Sequence, residues 1–278
     1  MSQTAASPSL PTIAFIGGGN MASAIIGGLI HQGHPASQIE VVEPWAEARE
    51  ALRKNYGIEA QAEAGPALQR AQIVVWAVKP QTFKDAAAQA KAHTQGALHL
   101  SVAAGIRSDS IAQWLGTERI VRTMPNTPAL VGKGMSALYA RPAVSAPERQ
   151  SIEAIMATTG EFLWVDSEPQ LDAVTALSGS GPAYVFYFLE AMTRAGTDMG
   201  LTAAQAHQLA VGTFVGASEL ARRSDETPAV LRQRVTSKGG TTYAALQSME
   251  HDAVAEKFMQ AMQAARQRAH ELGDEFGK

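Results

Sequence analysis

The feature that most constrains the fold is a glycine-rich turn between an apolar strand and a small-residue helix. A β-prone run from Ile13 to Ile16 leads into Gly17–Gly19, and a helical pattern from Ala22 to Ile30 follows directly. The first and last of these glycines occupy the first two positions of the G-x-G-x-x-G/A pattern, and Ala22 occupies the third. This pattern combines a tight turn, a backbone without Cβ atoms near a pyrophosphate, and a helix N-terminus that attracts anions. It predicts a dinucleotide site.

Composition narrows the class of function. The 278 residues suit about two domains of ordinary size. The formal net charge of -3 provides no basic field for nucleic acid, and the absence of cysteine excludes a disulfide framework, a cysteine metal site and a thiol nucleophile. No apolar run approaches membrane-spanning length, and the first residues do not resemble a signal peptide. We therefore expect a cytoplasmic protein with a small-molecule ligand, without metal, nucleic acid or membrane as partners.

The order of strand and helix patterns predicts two domains after a disordered tail over residues 1–11. Strands alternate with helices over residues 12–166, which is typical of a doubly wound, mostly parallel α/β Rossmann domain. From Pro169 onward no strand pattern remains, so residues 167–278 are predicted to form an all-helical domain. Its apolar helices and a polar, glycine-rich loop make it the expected substrate-binding and dimerisation domain. The predicted strands are Ile13–Ile16, Ile39–Val42, Ile73–Val78, Ala97–Val102, Ile120–Thr123, Met135–Tyr139 and Phe162–Val165.

The residues after the second strand leave the choice between NADH and NADPH open. Glu43 stands at the end of that strand, where a carboxylate hydrogen-bonds the adenosine ribose in dinucleotide folds. This carboxylate would repel a 2′-phosphate, whereas Arg49 on the following helix would attract one. Lys79-Pro80 ends the third strand and is expected to border the cofactor, because ligands bind at the carboxyl ends of parallel strands.

Two polar, glycine-rich stretches interrupt the helical half, at Leu177–Pro182 and Val235–Thr242. The first stretch is interpreted either as a kink that permits close helix packing or as a functional segment. The second ends one helix and begins another, so we expect free N–H groups on Gly239, Gly240 and Thr241 to form an anion site for a carboxylate. The alternative interpretation of this loop is a pair of helix caps. Further caps are predicted at Thr202, Thr227 and Asp252.

Five motifs in order resemble the pyrroline-5-carboxylate reductase family, and the likeness extends over everything after the tail. The motifs are Phe15–Ala22, Ala77–Pro80, Met124–Pro128, Ala176–Tyr184 and Val235–Thr242. The resemblance implies an oxidoreductase that reduces 1-pyrroline-5-carboxylate to L-proline with NADPH or NADH, the last step of proline biosynthesis, with NADPH slightly favoured. It also implies a helical domain that interlocks two subunits in a homodimer, which often joins a ring of dimers.

The resemblance also assigns residues by motif. Those implied for the cofactor, together with Glu43, are Ile16, Gly17, Gly18, Gly19, Asn20, Met21, Ala77, Val78, Lys79, Pro80, Val102, Ala103 and Ala104. Those implied for the substrate, together with Gly239 from the loop geometry, are Ser237, Gly240, Thr241, Thr242 and, more weakly, Asp225. Three positions depart from the family pattern. Lys238 replaces a common proline, Glu43 is unusual where NADPH is preferred, and Ala64 replaces a common asparagine.

The residues suggest a mechanism that needs no strongly perturbed acid. The loop amides clamp the substrate carboxylate, the catalytic Thr242 hydrogen-bonds the ring nitrogen, and hydride crosses the cleft between the domains. Two alternatives remain, namely another imine or β-hydroxyacid oxidoreductase and a non-catalytic NADP-binding sensor. The Asn-x-x-x-Lys pair of β-hydroxyacid dehydrogenases is missing, because Ala24, Glu59 and Leu130 follow the asparagines at that spacing. A sensor has no need of a carboxylate clamp.

Overall fold

The structure is a computed structural model that describes residues 11–277. The predicted tail, residues 1–11, lies outside the described residues except for Pro11. Within the described residues the chain forms two compact units, one of residues up to Ser180 together with those from Ala265 onward, and one of Gly181–Ala264. The predicted domain boundary between residues 166 and 167 stays a prediction.

A seven-stranded sheet organises the first unit, in the order β2-β1-β3-β4-β5-β6-β7. All neighbouring strands are parallel except β5 and β6, which pair antiparallel. This confirms the doubly wound, mostly parallel sheet expected from the sequence. The strands β1 to β7 are Ile13–Ile16, Ile39–Val42, Ile73–Trp76, Leu98–Ser101, Ile120–Met124, Gly134–Ala140 and Gly160–Trp164.

Strands β1 and β3 are continuously apolar because both faces of the sheet are buried there. In β1, Ile13 and Phe15 belong to one hydrophobic core, whereas Ala14 and Ile16 belong to a second core on the opposite face. Between residue 11 and Ser180, six α-helices accompany the strands, and most of them connect successive strands. Helices α1 to α6 are Asn20–His31, Ala46–Tyr56, Pro80–Ala90, Ser108–Leu115, Ala146–Ala157 and Gln170–Val174.

The strand order places a ligand crevice between β1 and β3. The chain runs from β1 to β2 on one side and then returns to β3 on the other side of β1, so β1 and β3 flank a topological switch point. Ligands in open α/β sheets bind outside the carboxyl ends of strands at such a point. The glycine turn after β1 and the Ala77–Pro80 segment after β3 lie at that edge.

The second unit is helical throughout, as the sequence predicts. A π-helical turn at Thr175–Gly179 precedes it, which agrees with a kink in the first glycine-rich stretch. Helices α7 to α11 are Gly181–Asp198, Ala203–Arg223, Pro228–Arg234, Thr241–His251 and Val254–Phe276.

Two of the three predicted helix caps are confirmed. Thr202 forms a capping box with Gln205, and the Thr227 hydroxyl accepts a hydrogen bond from the Val230 N–H. The predicted N-cap at Asp252 is wrong, because Asp252 is the C-cap of α10. The sharp turn between the last two helices is carried by Ala253, a residue with φ of 52°.

The C-terminal part of α11 belongs to the first unit and is fastened there by polar contacts. The Arg107 guanidinium donates to Asp274 over 2.7 Å, and the Ser110 hydroxyl donates to the Gly277 carbonyl over 2.8 Å. Leu272 packs so closely on Gly105 that a Cβ there would lie 3.0 Å from the Leu272 Cβ. These contacts join residues far apart in the chain.

A partly buried ion pair fixes the start of α4 within the same unit. The Glu168 carboxylate accepts hydrogen bonds from the Ser108 N–H over 2.5 Å, from the Ser108 hydroxyl over 2.6 Å, and from Arg122 over 2.6 Å. Arg122 is buried in β5. Because Glu168 satisfies an N–H at the first residue of α4, it serves as a cap supplied from outside the helix. Among residues 11–277, no helix is long and apolar enough to cross a membrane.

Candidate functional site

The turn after β1 has the geometry that a dinucleotide site requires. Gly17 has φ of +98°, and a Cβ there would lie 2.5 Å from the Ala77 carbonyl oxygen, so only glycine fits. The Gly17 N–H donates to the Val42 carbonyl, and the Ala77 N–H donates to the Ile16 carbonyl, each over 2.8 Å. These bonds bring the carboxyl ends of β1, β2 and β3 together.

Open space lies directly above the start of α1. No atom comes within 4 Å of a Cβ built on Gly19, which is the N-cap of the helix. Within the described part of the chain, the N–H groups of Gly19, Asn20 and Met21 have no hydrogen-bond acceptor. Free N–H groups and the positive end of a helix facing open space form an anion cradle. The residues present therefore fit a pyrophosphate, which supports the predicted cofactor residues of this turn.

The next two strand ends line the same edge of the sheet. Exposed Lys79 is the N-cap of α3, and Pro80 is its first residue, as expected for a strand-to-helix corner. The Val102 N–H donates to the Trp76 carbonyl over 3.1 Å, and the Ala103 N–H donates to the Ser101 hydroxyl over 3.3 Å. The predicted residues Val78 and Ala104 are half-buried in these two segments.

Glu43 is held against the glycine turn rather than extended into solvent. Its side chain is buried, and one carboxylate oxygen accepts a hydrogen bond from the Gly18 N–H over 2.6 Å. The other oxygen accepts from the Trp45 N–H over 2.9 Å. The sequence places Glu43 near the crevice, but its bond to the turn depends on tertiary structure and was missed.

The predicted carboxylate loop is a turn that leads into α10. Gly239 has φ of +76°, and Gly240 is the N-cap of the helix. The expectation of a free N–H on Gly240 is wrong, because this group donates to the Ser237 carbonyl over 3.0 Å and closes the turn. Within residues 11–277, the N–H groups of Gly239 and Thr241 have no acceptor. Two of the three expected amides therefore remain for an anion.

Asp225 lies exposed in the loop between α8 and α9, apart from Ser237–Thr242 in sequence. Its neighbour Glu226 accepts a hydrogen bond from Arg234 over 2.5 Å. Arg234 is the last residue of α9, immediately before the Val235–Thr242 loop. This ion pair links the segment that carries Asp225 to the start of the predicted substrate loop.

Asn126 joins two motifs to which the sequence assigned no role. Its side-chain amide donates to the Ser178 hydroxyl over 3.1 Å and accepts from the Met135 N–H over 2.9 Å. Met124–Pro128 is therefore fastened to the Leu177–Gly179 stretch. An asparagine between two prolines was the signal in the sequence, because such a stiff loop presents one polar side chain in a fixed direction.

Away from the predicted site, the buried side chain of His99 has a structural partner. His99 in β4 accepts a hydrogen bond from the Trp76 indole over 3.0 Å, and burial together with the charge of Arg119 lowers the pKa of His99 to about 4. Among the described residues, no cluster of three or more histidine, aspartate or glutamate side chains is arranged to hold a metal ion.

Comparisons with known proteins agree with this geometry. Residues 168–272 match the family model for pyrroline-5-carboxylate reductase dimerisation, and residues 12–105 match the model described as NADP oxidoreductase coenzyme F420-dependent. A pyrroline-5-carboxylate reductase of Pseudomonas aeruginosa is 45% identical over 97% of this chain and 100% of its own length.

Solved structures give the same result. A pyrroline-5-carboxylate reductase from Coxiella burnetii superposes with a TM-score of 0.87 at 37% identity, covering 94% of this chain and 98% of that one. The Plasmodium falciparum pyrroline carboxylate reductase with NADP bound has a TM-score of 0.86 at 27% identity, covering 95% and 99% of the two chains. The chain belongs to the pyrroline-5-carboxylate reductase family.

Proposed function

We propose that this chain reduces 1-pyrroline-5-carboxylate to L-proline with NAD(P)H, the last step of proline biosynthesis. The observation that carries the proposal is the full-length relationship to enzymes named for this reaction. The anion cradle at the start of α1 supports it independently, because a nicotinamide dinucleotide brings a pyrophosphate that fits there. The enzyme is an NAD(P)-dependent oxidoreductase.

The crevice residues bind and orient the cofactor. The amides of Gly19, Asn20 and Met21 hold the pyrophosphate, and the small residues at Ala77 and Ala103–Ala104 allow the dinucleotide to lie close to the strand ends. Ile16, Gly17, Gly18, Val78, Lys79, Pro80 and Val102 complete this set. When bound, the reduced nicotinamide supplies the hydride that turns the imine carbon into a methylene group.

The second unit provides the substrate residues. The amides of Gly239 and Thr241, with the hydroxyl of Ser237, bind the carboxylate at the start of α10. Thr242 hydrogen-bonds the ring nitrogen, which carries the added proton after the C=N bond becomes C–N. Gly240 shapes the turn through its bond to the Ser237 carbonyl, and Asp225 contributes from the neighbouring loop. Orientation of the imine, rather than acid–base catalysis, is the main contribution of the chain.

A direct assay tests the function. Purified protein is mixed with 1-pyrroline-5-carboxylate and NADH or NADPH, the absorbance of the reduced nicotinamide is followed, and L-proline is identified in the product. Proline formation equal to the nicotinamide oxidised is the expected result. Binding of the nucleotide without any turnover would favour a sensor and contradict the proposal.

The quaternary structure and location extend the proposal. The dimerisation family model and the exposed apolar side chains of α7 and α8 support a homodimer. As the larger assembly we propose a ring of these dimers. We place the enzyme in the cytoplasm, where reduced nicotinamide nucleotides are available to amino-acid biosynthesis.

A further inference from the structure

The position of the Glu43 carboxylate determines which groups of a ligand in the crevice can hydrogen-bond to it. Its two oxygens receive the N–H groups of Gly18 and Trp45, over 2.6 and 2.9 Å. Each carboxylate oxygen has two lone pairs, so both retain one acceptor position after these bonds. The carboxylate is buried beside the glycine turn, at the end of the strand next to β1. Hydroxyl donors are therefore suitable neighbours, and a second anion is not.

Arg49, the nearby cation, is engaged with the backbone. One of its terminal nitrogens donates to the Glu43 carbonyl over 2.9 Å and to the Pro44 carbonyl over 2.6 Å. These bonds hold the turn that presents Glu43. A phosphate group in the crevice would have to draw the guanidinium away from two carbonyl partners, so Arg49 favours the present conformation of Glu43.

We propose that Glu43 makes this enzyme prefer NADH over NADPH, by accepting hydrogen bonds from the adenosine ribose hydroxyls and repelling a 2′-phosphate. This inference rests on the proposed function, since a dinucleotide must occupy the crevice. A 2′-phosphate brings negative charge and no donor to a fixed carboxylate, and like charges placed together in an interface are strongly unfavourable.

Calorimetric titration of the wild-type protein with NAD⁺ and NADP⁺ tests the preference without catalysis. We expect NAD⁺ to bind at least about tenfold more tightly, the factor that corresponds to one charge repulsion of modest strength. Equal affinity, or tighter binding of NADP⁺, would overturn the role of Glu43 while leaving the reductase function intact. Binding of neither nucleotide would overturn both.

Three variants locate the effect. Glu43→Gln removes the charge with little change of volume, and we expect it to bring the ratio of the two affinities within about threefold of unity by strengthening NADP⁺ binding. Glu50→Gln removes the same charge from the exposed face of α2, where it pairs with Arg53, and should leave the ratio unchanged. If Arg49→Gln weakens the binding of NADP⁺ but not of NAD⁺, Arg49 binds the 2′-phosphate, and this result would overturn the proposal.

Discussion

At the scale of the residue, the proposed chemistry depends most on the Thr242 hydroxyl. Thr242 is the second residue of α10 and is half-buried, and among residues 11–277 its hydroxyl has no hydrogen-bond partner. Thr242→Ala should lower kcat/KM about five- to 150-fold, because it removes one hydrogen bond to the ring nitrogen. Steady-state kinetics with 1-pyrroline-5-carboxylate measures this change.

The matched control for Thr242 lies in the same loop. The Thr236 hydroxyl donates to the Arg232 carbonyl over 2.6 Å and is therefore committed to the backbone. Thr236→Ala should keep wild-type kinetics if only the free hydroxyl acts on substrate. Unchanged kcat and KM in Thr242→Ala would remove this residue from the mechanism.

His99 makes the folded state sensitive to acid. Its pKa is lowered to about 4 in the folded protein, first by burial and then by the charge of Arg119. The unfolded chain binds this proton near pH 6.5, so the stability is complete above that pH and is lost as the pH falls to about 4. The full loss is about 3 kcal/mol, of which about 2 kcal/mol falls between pH 7 and pH 5.

Urea unfolding at pH 7 and pH 5 measures the contribution of His99. His99→Gln retains an acceptor for the Trp76 indole N–H but does not titrate. We expect the variant to lose clearly less stability than the wild type over this interval. An identical loss in both proteins would show that other groups cause the acid sensitivity.

At the scale of the element, the turn between β1 and α1 allows cofactor affinity and folding stability to be changed separately. A Cβ on Gly19 meets no atom within 4 Å, so Gly19→Ala should fold with nearly the wild-type Tm. The added methyl group would lie in the anion cradle, and we expect the Kd for NADH to rise at least about tenfold. Fluorescence titration and thermal unfolding measure the two effects.

Gly17 provides the contrast within the same turn. Its left-handed φ and the nearby Ala77 carbonyl mean that Gly17→Ala should lower the Tm as well as cofactor affinity. If Gly19→Ala binds NADH like the wild type, the pyrophosphate does not occupy the start of α1.

Elements were predictable where local chemistry determines them. All seven strands were expected, since apolar β-branched runs between turn residues indicate buried strands, and Thr202 and Thr227 act as caps through residues close in sequence. The prediction for Asp252 is wrong because aspartate occurs at both ends of helices. The turn at Ala253 places Asp252 at the end of α10. Of the candidate site, the sequence indicated which loops take part. It did not indicate that the Gly240 N–H is used within its own turn.

At the scale of the whole molecule, the helical unit carries exposed apolar side chains, which we expect to pack against a second subunit. Phe186 and Tyr187 on α7 and Leu209, Val215 and Leu220 on α8 are all exposed in the single chain. Leu209 is 59% exposed, so Leu209→Glu should reduce the molar mass found by light scattering and lower activity, because a buried unpaired charge opposes assembly. Lys54→Glu on α2 reverses a charge outside this surface and should leave the mass unchanged. A wild-type monomer at micromolar concentration would contradict the homodimer.

The return of α11 to the first unit affects the order in which the chain is made and folded. The segment around Gly105–Ser110 is synthesised before the helical unit, yet its partners Leu272, Asp274 and Gly277 are synthesised after that unit. Contacts between residues so far apart in sequence form late, and they make folding slower. The Gly105–Ser110 segment therefore remains without these partners while the helical unit is translated. The unit that contains the dinucleotide crevice is thus begun before the helical unit and completed after it.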